Sequence, residues 1–489
     1  MYKTIFDKIF FGTIIVALLF FLQISFAGEL RSVSLIFTAD THATFAATDD
    51  KPDLWDWAAT LLNLKQQEPQ LIMIDCGDTF QGSLIAAETR GEMVAKVFKQ
   101  LPFDLIIPGN HDFDFGLEQL HKLLRQSYLT ALSANTPQLT DQIQSWKMLE
   151  QNQLKIAVIG ISGRPDTQPL AQISETDALE LILPEILRAR PDIIILARHG
   201  GKYGKPNSVY DLSQNFPELD LIAGAHSHQG APGEKISART WYLQAPPHCR
   251  GIIRCDLQYD TGLQRIVKLR SREIIPNKHT TLSPPLALLR QEVEKMQKAN
   301  QIIINQLTKP WKFPQSKNDF NSPISRLAVK SIQNNAEYLE RQTPLLPAVI
   351  LHNLPVNRQY SSQLQLNNEL IFEWFPFEER VGEIELSAAE LMTIVQEIFQ
   401  APAAYPNAFA FDGLKIIRQG RKLDFQPERT AEFYRLIASE FVLNGANGRY
   451  PGLRRLISTK KVFFYQNTLR KMVSTYILYN KDIVNNITQ

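Results

Sequence analysis

Between residues 32 and about 260 the chain repeats one pattern: a short run of Val, Ile and Leu, a break at Gly or a polar residue, then a stretch compatible with a helix. The runs are VSLIF (33–37), LIMI (71–74), DLII (104–107), KIAVIGI (155–161), DIIIL (192–196) and DLIAG (220–224), with GIIRCDL (251–257) closing the series. Continuous apolar runs of this length mark strands buried on both faces, so the pattern predicts a layered α/β domain. At 489 residues, 44% apolar and 21% charged, the chain is globular in composition and too long for one ordinary core, so two domains are expected. Its net charge of +2, with no long basic block or aromatic-interleaved stripe, argues against nucleic acid as a partner.

The residues at the carboxyl ends of these runs are chemically selective. VSLIF leads into Asp40-Thr41-His42, LIMI into Asp75-Cys76-Gly77-Asp78, DLII into Asn110-His111-Asp112, DIIIL into Arg198-His199, and DLIAG into His226-Ser227-His228. Groups at the carboxyl ends of strands in α/β sheets converge, so these segments predict one cluster. In Asp40-x-His42 and His226-x-His228 the pair members are two apart, which on extended backbone puts both side chains on one face. Gly77, Gly82 and Gly109 allow tight turns and close backbone approach around it.

Asp40, His42, Asp78, Asn110, His199, His226 and His228 offer only oxygen and imidazole nitrogen. Seven such groups suit two divalent ions that share a carboxylate, with Asp78 the natural bridge. The donor types are compatible with Mn, Zn, Fe or Co. Two adjacent ions can hold a hydroxide at neutral pH and neutralise charge on a phosphoryl group, so the reaction class implied is phosphoester hydrolysis. His111, beside Asn110, points away from it on extended backbone and can face the substrate as a general acid, with Asp114 orienting the imidazole.

The ordered motifs DTH, GDTFQGS, GNHDFDFG, RHGG and GAHSH resemble those of the calcineurin-like metallophosphoesterases, in particular the secreted 5'-nucleotidase and UDP-sugar hydrolase family. The resemblance implies a four-layer α/β sandwich followed by a smaller α/β C-terminal substrate-recognition domain. It implies one metal ion on Asp40, His42, Asp78 and His228, a second on Asp78, Asn110, His199 and His226, and catalysis by His111 and Asp114. Gln is common in the family where His228 stands; His is an equally competent ligand. His121, His248, His279 and His352 are assigned no role.

The C-terminal third is less faithful. FNSPISRLAVKSI (320–332) carries Arg326 and Lys330 where the family usually has Asn and Asp, and HNLPVNRQY (352–360) keeps Asn353 and Arg358 without the intervening glycines. WFPFEERVGEIEL (374–386) has Glu379 where Asn is usual, and FVLNGANGRYPGL (441–453) has Asn447 where Asp is usual. By resemblance Phe377 and Phe441 would sandwich a nucleobase and Arg358 would meet the anionic part of the substrate; from the sequence alone, two core Phe side chains are the competing reading. The domain division expected is 1–27 signal peptide, 28–276 metallophosphoesterase domain, 277–318 linker and connecting helix with Glu292 and Glu294 near Lys295 and Lys298, and 319–489 C-terminal domain.

Lys3 and Lys8 precede an apolar stretch that ends at Ser25-Phe26-Ala27, which reads as a cleavable secretory signal; an uncleaved anchor through residues 9–23 is the alternative. The expected location is the periplasm or cell exterior, with no stable membrane insertion once the signal is removed. Three cysteines make no disulfide framework: Cys249 and Cys255 are open to pairing or to remaining thiols, and Cys76 is expected as an inert buried thiol. The sequence therefore reads as an exported two-metal phosphoesterase acting on small nucleotides, with no protein partner evident. The alternatives are the same chemistry on a thiosulfohydrolase-type or cyclic phosphodiester substrate, and a non-enzymatic binding module.

Overall fold

The structure is a computed structural model that describes residues 28–45, 52–136, 143–165, 170–203, 207–278, 280–307, 311, 322–340, 346–355, 364–377, 379–400, 407–419, 422–446 and 449–480. Among the described residues thirteen strands precede residue 275: β1 (Leu30–Thr38), β2 (Ile72–Asp75), β3 (Leu105–Ile106), β4 (Ala131–Leu132), β5 (Ile143–Gln144), β6 (Trp146–Gln151), β7 (Leu154–Ile161), β8 (Ile193–Arg198), β9 (Leu221–Gly224), β10 (Ala231–Lys235), β11 (Trp241–Gln244), β12 (Ile252–Asp260) and β13 (Arg265–Ile274). They form a seven-stranded sheet, β13-β12-β1-β2-β3-β4-β5, and a six-stranded sheet, β10-β11-β9-β8-β7-β6. Neighbours from β1 to β5 run parallel, as do β7, β8, β9 and β11. The last run of the sequence series differs: β12 lies antiparallel to β1, Leu30 opposite Asp260, and takes no part in the parallel set.

Side-chain alternation decides the layering. Val33, Leu35 and Phe37 of β1 face Ile156, Val158, Ile193 and Ile195 of the other sheet, all buried between the two. Ile36, Met73 and Ile106 point the other way, under helices Leu54–Gln67, Glu92–Phe98 and Leu117–Ser127, where Trp57, Val94 and Leu120 cover them. Ile159, Ile194 and Leu196 are covered by Leu179, Ile182 and Leu212 of helices Glu175–Arg188 and Val209–Asn215. The result is helix, sheet, sheet, helix. Strands buried on both faces explain the unbroken apolar runs, and each fully buried Ile, Leu or Phe stabilises the layers by roughly 1.5–3 kcal/mol.

The same alternation settles the cysteines. Cys255 on β12 lies between the sheets, whereas Cys249 lies in the core on the opposite face. All three thiols are buried and free, and burial pushes each of them up.

Helix Pro284–Asn300 buries Leu286 and Val293 in the first core. It ends at Asn300, inside the 277–318 segment expected to hold a connecting helix, and its glutamates pair differently from the sequence reading. Glu292 meets Lys96 at 2.9 Å and Glu294 meets Arg290 at 3.0 Å, because the first faces helix Glu92–Phe98 and the second lies one turn from Arg290. Asn300 donates to Glu88 at 2.7 Å and accepts from Asn368 at 3.1 Å, linking the helix end to both halves of the molecule.

The second half is built on a five-stranded sheet ordered Asn407–Asp412, Ala348–Pro355, Phe433–Ser439, Arg380–Ser387 and Phe463–Thr468. Only the pairing of Ala348–Pro355 with Phe433–Ser439 is parallel. One face is covered through Leu327, Ile371 and Met472 of helices Pro323–Gln333, Asn368–Trp374 and Leu469–Tyr479. The other is covered by Leu391, Val395, Leu453 and Phe425.

Candidate metal centre

The parallel strands of both sheets end on one edge, and the expected residues gather there. Main-chain bonds join the exits of β1 and β2: Asp40 N donates to Gly77 O at 2.8 Å and His42 N to Asp78 O at 2.9 Å. The backbone route is not the extended one expected. Asp40, His42, Asp78, His226 and His228 have φ of 52°, 47°, 56°, 69° and 57°, and Asn110 leads into a 3-10 turn over His111–Phe113. The side chains converge because the chain curls left-handed at successive positions, a conformation disfavoured for residues with a Cβ.

Two features hold these turns. A Cβ on Gly77 would lie 2.3 Å from Gly109 N, and one on Gly109 would lie 2.2 Å from Asp78 Oδ1, so the β2 and β3 turns pack backbone to backbone. Asp112, fully buried, accepts from Asp78 N, Thr79 N, Phe80 N and Gly109 N at 2.8–2.9 Å. Asp75 accepts from the Thr38 and Thr79 hydroxyls, both at 2.6 Å, beneath the site.

Around this frame lie two groups whose ligand atoms are within 4.8 Å of one another: Asp40, His42 and His228, and Asp78, His199 and His226. Asp78 Oδ2 stands between them, 3.6 Å from His42 Nε2 and 3.2 Å from His199 Nε2. Asn110 Oδ1 joins the second group at 3.1 Å from His199 Nε2 and 3.0 Å from His226 Nδ1. His42 Nε2 and His228 Nε2 face each other at 3.1 Å, and His228 Nε2 is 3.7 Å from Asp40 Oδ1. The rings are aimed from behind: His42 Nδ1 sits 3.2 Å from Gln81 O and His199 Nδ1 2.8 Å from Cys76 O, which leaves Nε2 as the lone-pair atom toward the cluster.

The electrostatics suit a cation. Burial raises the Asp40 carboxyl to about 7 despite the nearby His199. Burial lowers His42 to about 3, keeping it in the neutral form that a metal takes. Burial opposes charge on both Asp78 and His199, yet their mutual attraction prevails: Asp78 lies well below the usual range and His199 is held at about 9. Converging carboxylate, amide and imidazole acceptors with inward lone pairs fit two divalent ions that share Asp78.

His111 Nδ1 lies 2.9 Å from Asp114 Oδ2, and its main-chain N–H donates to Asp78 Oδ1 at 2.9 Å. Phe377, from the second half and 44% exposed, stacks on the His111 ring at 5.8 Å and 13°. Phe441 is half-buried against the C-terminal core, with Arg449 over its ring at 5.9 Å. Asn353 is paired in register with Phe409, and Arg358 and Asn447 lie outside the described residues, as do residues 1–27 and His279.

One histidine left aside in the sequence reading lies close by. His248, given no role, stands beside the centre with its ring centroid 5.2 Å from that of His42 and 5.1 Å from that of His228. The short strand β11, WYLQ, runs parallel to β9 and delivers His248 as β9 delivers His226. Asp112 was also passed over as a structural acceptor; its place inside the turn, one residue past His111, carried no periodic signal.

Residues 33–230 match the family model for calcineurin-like phosphoesterase, which places this part of the chain, with its four-layer fold, in the calcineurin-like metallophosphoesterase superfamily. Within it the likeness is to proteins of 5'-nucleotidase type. Human 5'-nucleotidase is 24% identical over 180 residues, 34% of this chain and 30% of that protein. The protein UshA of Yersinia enterocolitica is 29% identical over 212 residues, 36% of this chain and 38% of that one. The alignments thus span about a third of the length of these relatives. A putative 5'-nucleotidase from Staphylococcus aureus superposes with a TM-score of 0.70 at 16% identity, covering 92% of this chain and 97% of that one, a likeness of fold across both halves.

Proposed function

We propose that the chain is an exported two-metal phosphoesterase that hydrolyses nucleoside 5'-phosphates or related nucleotides. The observation that carries this reading is Asp78 Oδ2 standing between His42 and His199, with a complete set of acceptors on either side. Asp40, His42, Asp78 and His228 would hold one ion, and Asp78, Asn110, His199 and His226 the other. Such a pair supplies a hydroxide at neutral pH and neutralises charge on the phosphoryl group.

The remaining steps belong to the chain's own residues. Asp114 fixes His111 with Nδ1 toward the carboxylate, so Nε2 is the atom that delivers a proton to the leaving-group oxygen. Asp112 keeps the Asp78 and Asn110 turns in register by gathering their N–H groups. Phe377 offers an aromatic face beside His111 on which a nucleobase can stack. Residues 28–276 would then be the hydrolytic domain, 277–318 the connection and 319–489 the domain that meets the rest of the substrate, with Asn353, Arg358 and Phe441 as its contact residues.

Export is supported by the Lys3 and Lys8 flank, the apolar stretch and Ala27; among the described residues no helix is long and apolar enough to cross a membrane. The mass of the mature chain tests it: cleavage after Ala27 is expected, and an intact N-terminus would contradict it. Activity is tested by phosphate release from AMP after chelator treatment and again after Mn²⁺ or Zn²⁺ is restored. Release only with metal is expected, and no release from metal-loaded protein would refute the nucleotide assignment.

A further inference from the structure

The strand β11 runs parallel to β9 with Gln244 opposite Gly224, so the residues after it emerge on the same edge as His226 and His228. Ala245, Pro246 and Pro247 lead to His248, whose N–H donates to the main-chain oxygen of Asp40 at 2.7 Å. His248 and Cys249 both take left-handed backbone, φ 56° and 58°, a conformation disfavoured for residues with a Cβ. The turn keeps it because Cys249 is buried in the first core and Asp40 grips His248. Strain sustained in this way at the rim of a site is a mark of use.

The ring distances say where the imidazole stands. His248 is 5.2 Å from His42 and 5.1 Å from His228, centroid to centroid, matching the 5.1 Å between His42 and His228 and the 5.2 Å between His199 and His226. Yet the ligand atoms clustered within 4.8 Å on this side are those of Asp40, His42 and His228, without His248. It therefore borders the ligand shell at the position of a neighbour to whatever oxygen completes it. Arg250, two residues on, is exposed, so the same turn also carries a guanidinium.

We propose that the His248–Arg250 turn grips the phosphoryl group of the substrate, with His248 donating a hydrogen bond to a phosphoryl oxygen beside the Asp40, His42 and His228 group. The inference rests on the two-metal reading of the site. Imidazole and guanidinium are both donors suited to phosphoryl oxygen, and neither is required to bind metal.

The test uses the full chain loaded with Mn²⁺ and inorganic phosphate as the probe, by titration calorimetry, with metal counted on the same samples. H248A is expected to keep two Mn²⁺ per chain and bind phosphate about tenfold more weakly, with R250A losing about threefold. H248Q, which keeps a donor, should recover part of the loss, and H248F, which keeps bulk alone, should not; this pair carries the test if the alanine variant does not fold. Unchanged phosphate affinity in H248F and H248A overturns the proposal, as does loss of one Mn²⁺, which would make His248 a ligand. Absence of Mn²⁺ from the unaltered chain would instead refute the two-metal reading and remove the ground of this inference with it.

Discussion

The two halves of the molecule treat their polar groups in opposite ways. In the first, parallel strands from two sheets end on one edge, and side chains separated by up to 188 positions, Asp40 to His228, are brought together and tied by main-chain bonds. In the second, the sheet is antiparallel but for one pair, so its strand ends alternate between edges and no such convergence is imposed. From that half, among the described residues, the ring of Phe377 reaches the centre, on a turn whose carbonyls at Phe375 and Pro376 accept from the buried Arg470 at 3.3 and 3.2 Å. Topology fixes where a metal centre forms; a loop held by one side chain fixes what lies over it, and loops can change residue by residue without disturbing the sheets.

The largest effect should come from the residue shared by both groups. D78N is expected to lower Mn²⁺ content from two per chain to one or none and phosphate release by roughly a thousandfold or more, read by elemental analysis and initial rates. H111A should keep both ions and fold normally, yet lose on the order of 10²–10⁴ in turnover, which separates proton delivery from metal holding. These two variants probe the first half only.

F377A asks whether the second half takes part. With AMP its KM should rise roughly tenfold, a cost of about 1–3 kcal/mol for a lost stacking face, with metal content unchanged. Unchanged kinetics would confine catalysis to the first half and leave the nucleoside without a platform. R470K should show a smaller KM increase, since the shorter lysine must shift to bring its ammonium to the two carbonyls that Arg470 Nη1 bonds together.

A further effect is one of stability alone, without change in turnover, and belongs wholly to the second half. His352 is buried, its Nδ1 has no hydrogen-bond partner among the described residues, and burial lowers it to about 4. The unfolded chain binds this proton more readily, so stability is at its full value above pH 6.5 and falls by about 3 kcal/mol as pH drops from 6.5 through 4. Urea midpoints across that range should show the slope, and H352F should flatten it; an equal slope in both would contradict the assignment.

The motifs after the apolar runs were legible because parallel strands buried on both faces write themselves as unbroken Val and Ile, and polar residues at their ends stand out. The set of candidate ligands came from that, but the backbone reason did not: extended geometry was expected at Asp40, His42, His226 and His228, and left-handed turns are found. His248 escaped because Trp241–Gln244 is too short and too mixed to announce a strand, and the order of strands, which places it, is not a local property. Cys249 and Cys255 were undecidable by spacing, since pairing depends on which face of the first sheet each one meets. The Phe377 contact with His111 is a docking of distant segments, 266 positions apart, and no pattern near either residue encodes it.

The central claim is that one carboxylate divides two metal ions. The direct measurement is anomalous diffraction at the Mn absorption edge from crystals of the Mn²⁺-loaded chain. Two peaks are expected on either side of Asp78, one among Asp40, His42 and His228 and the other among Asn110, His199 and His226. A single peak, or two that do not share Asp78, would contradict the account.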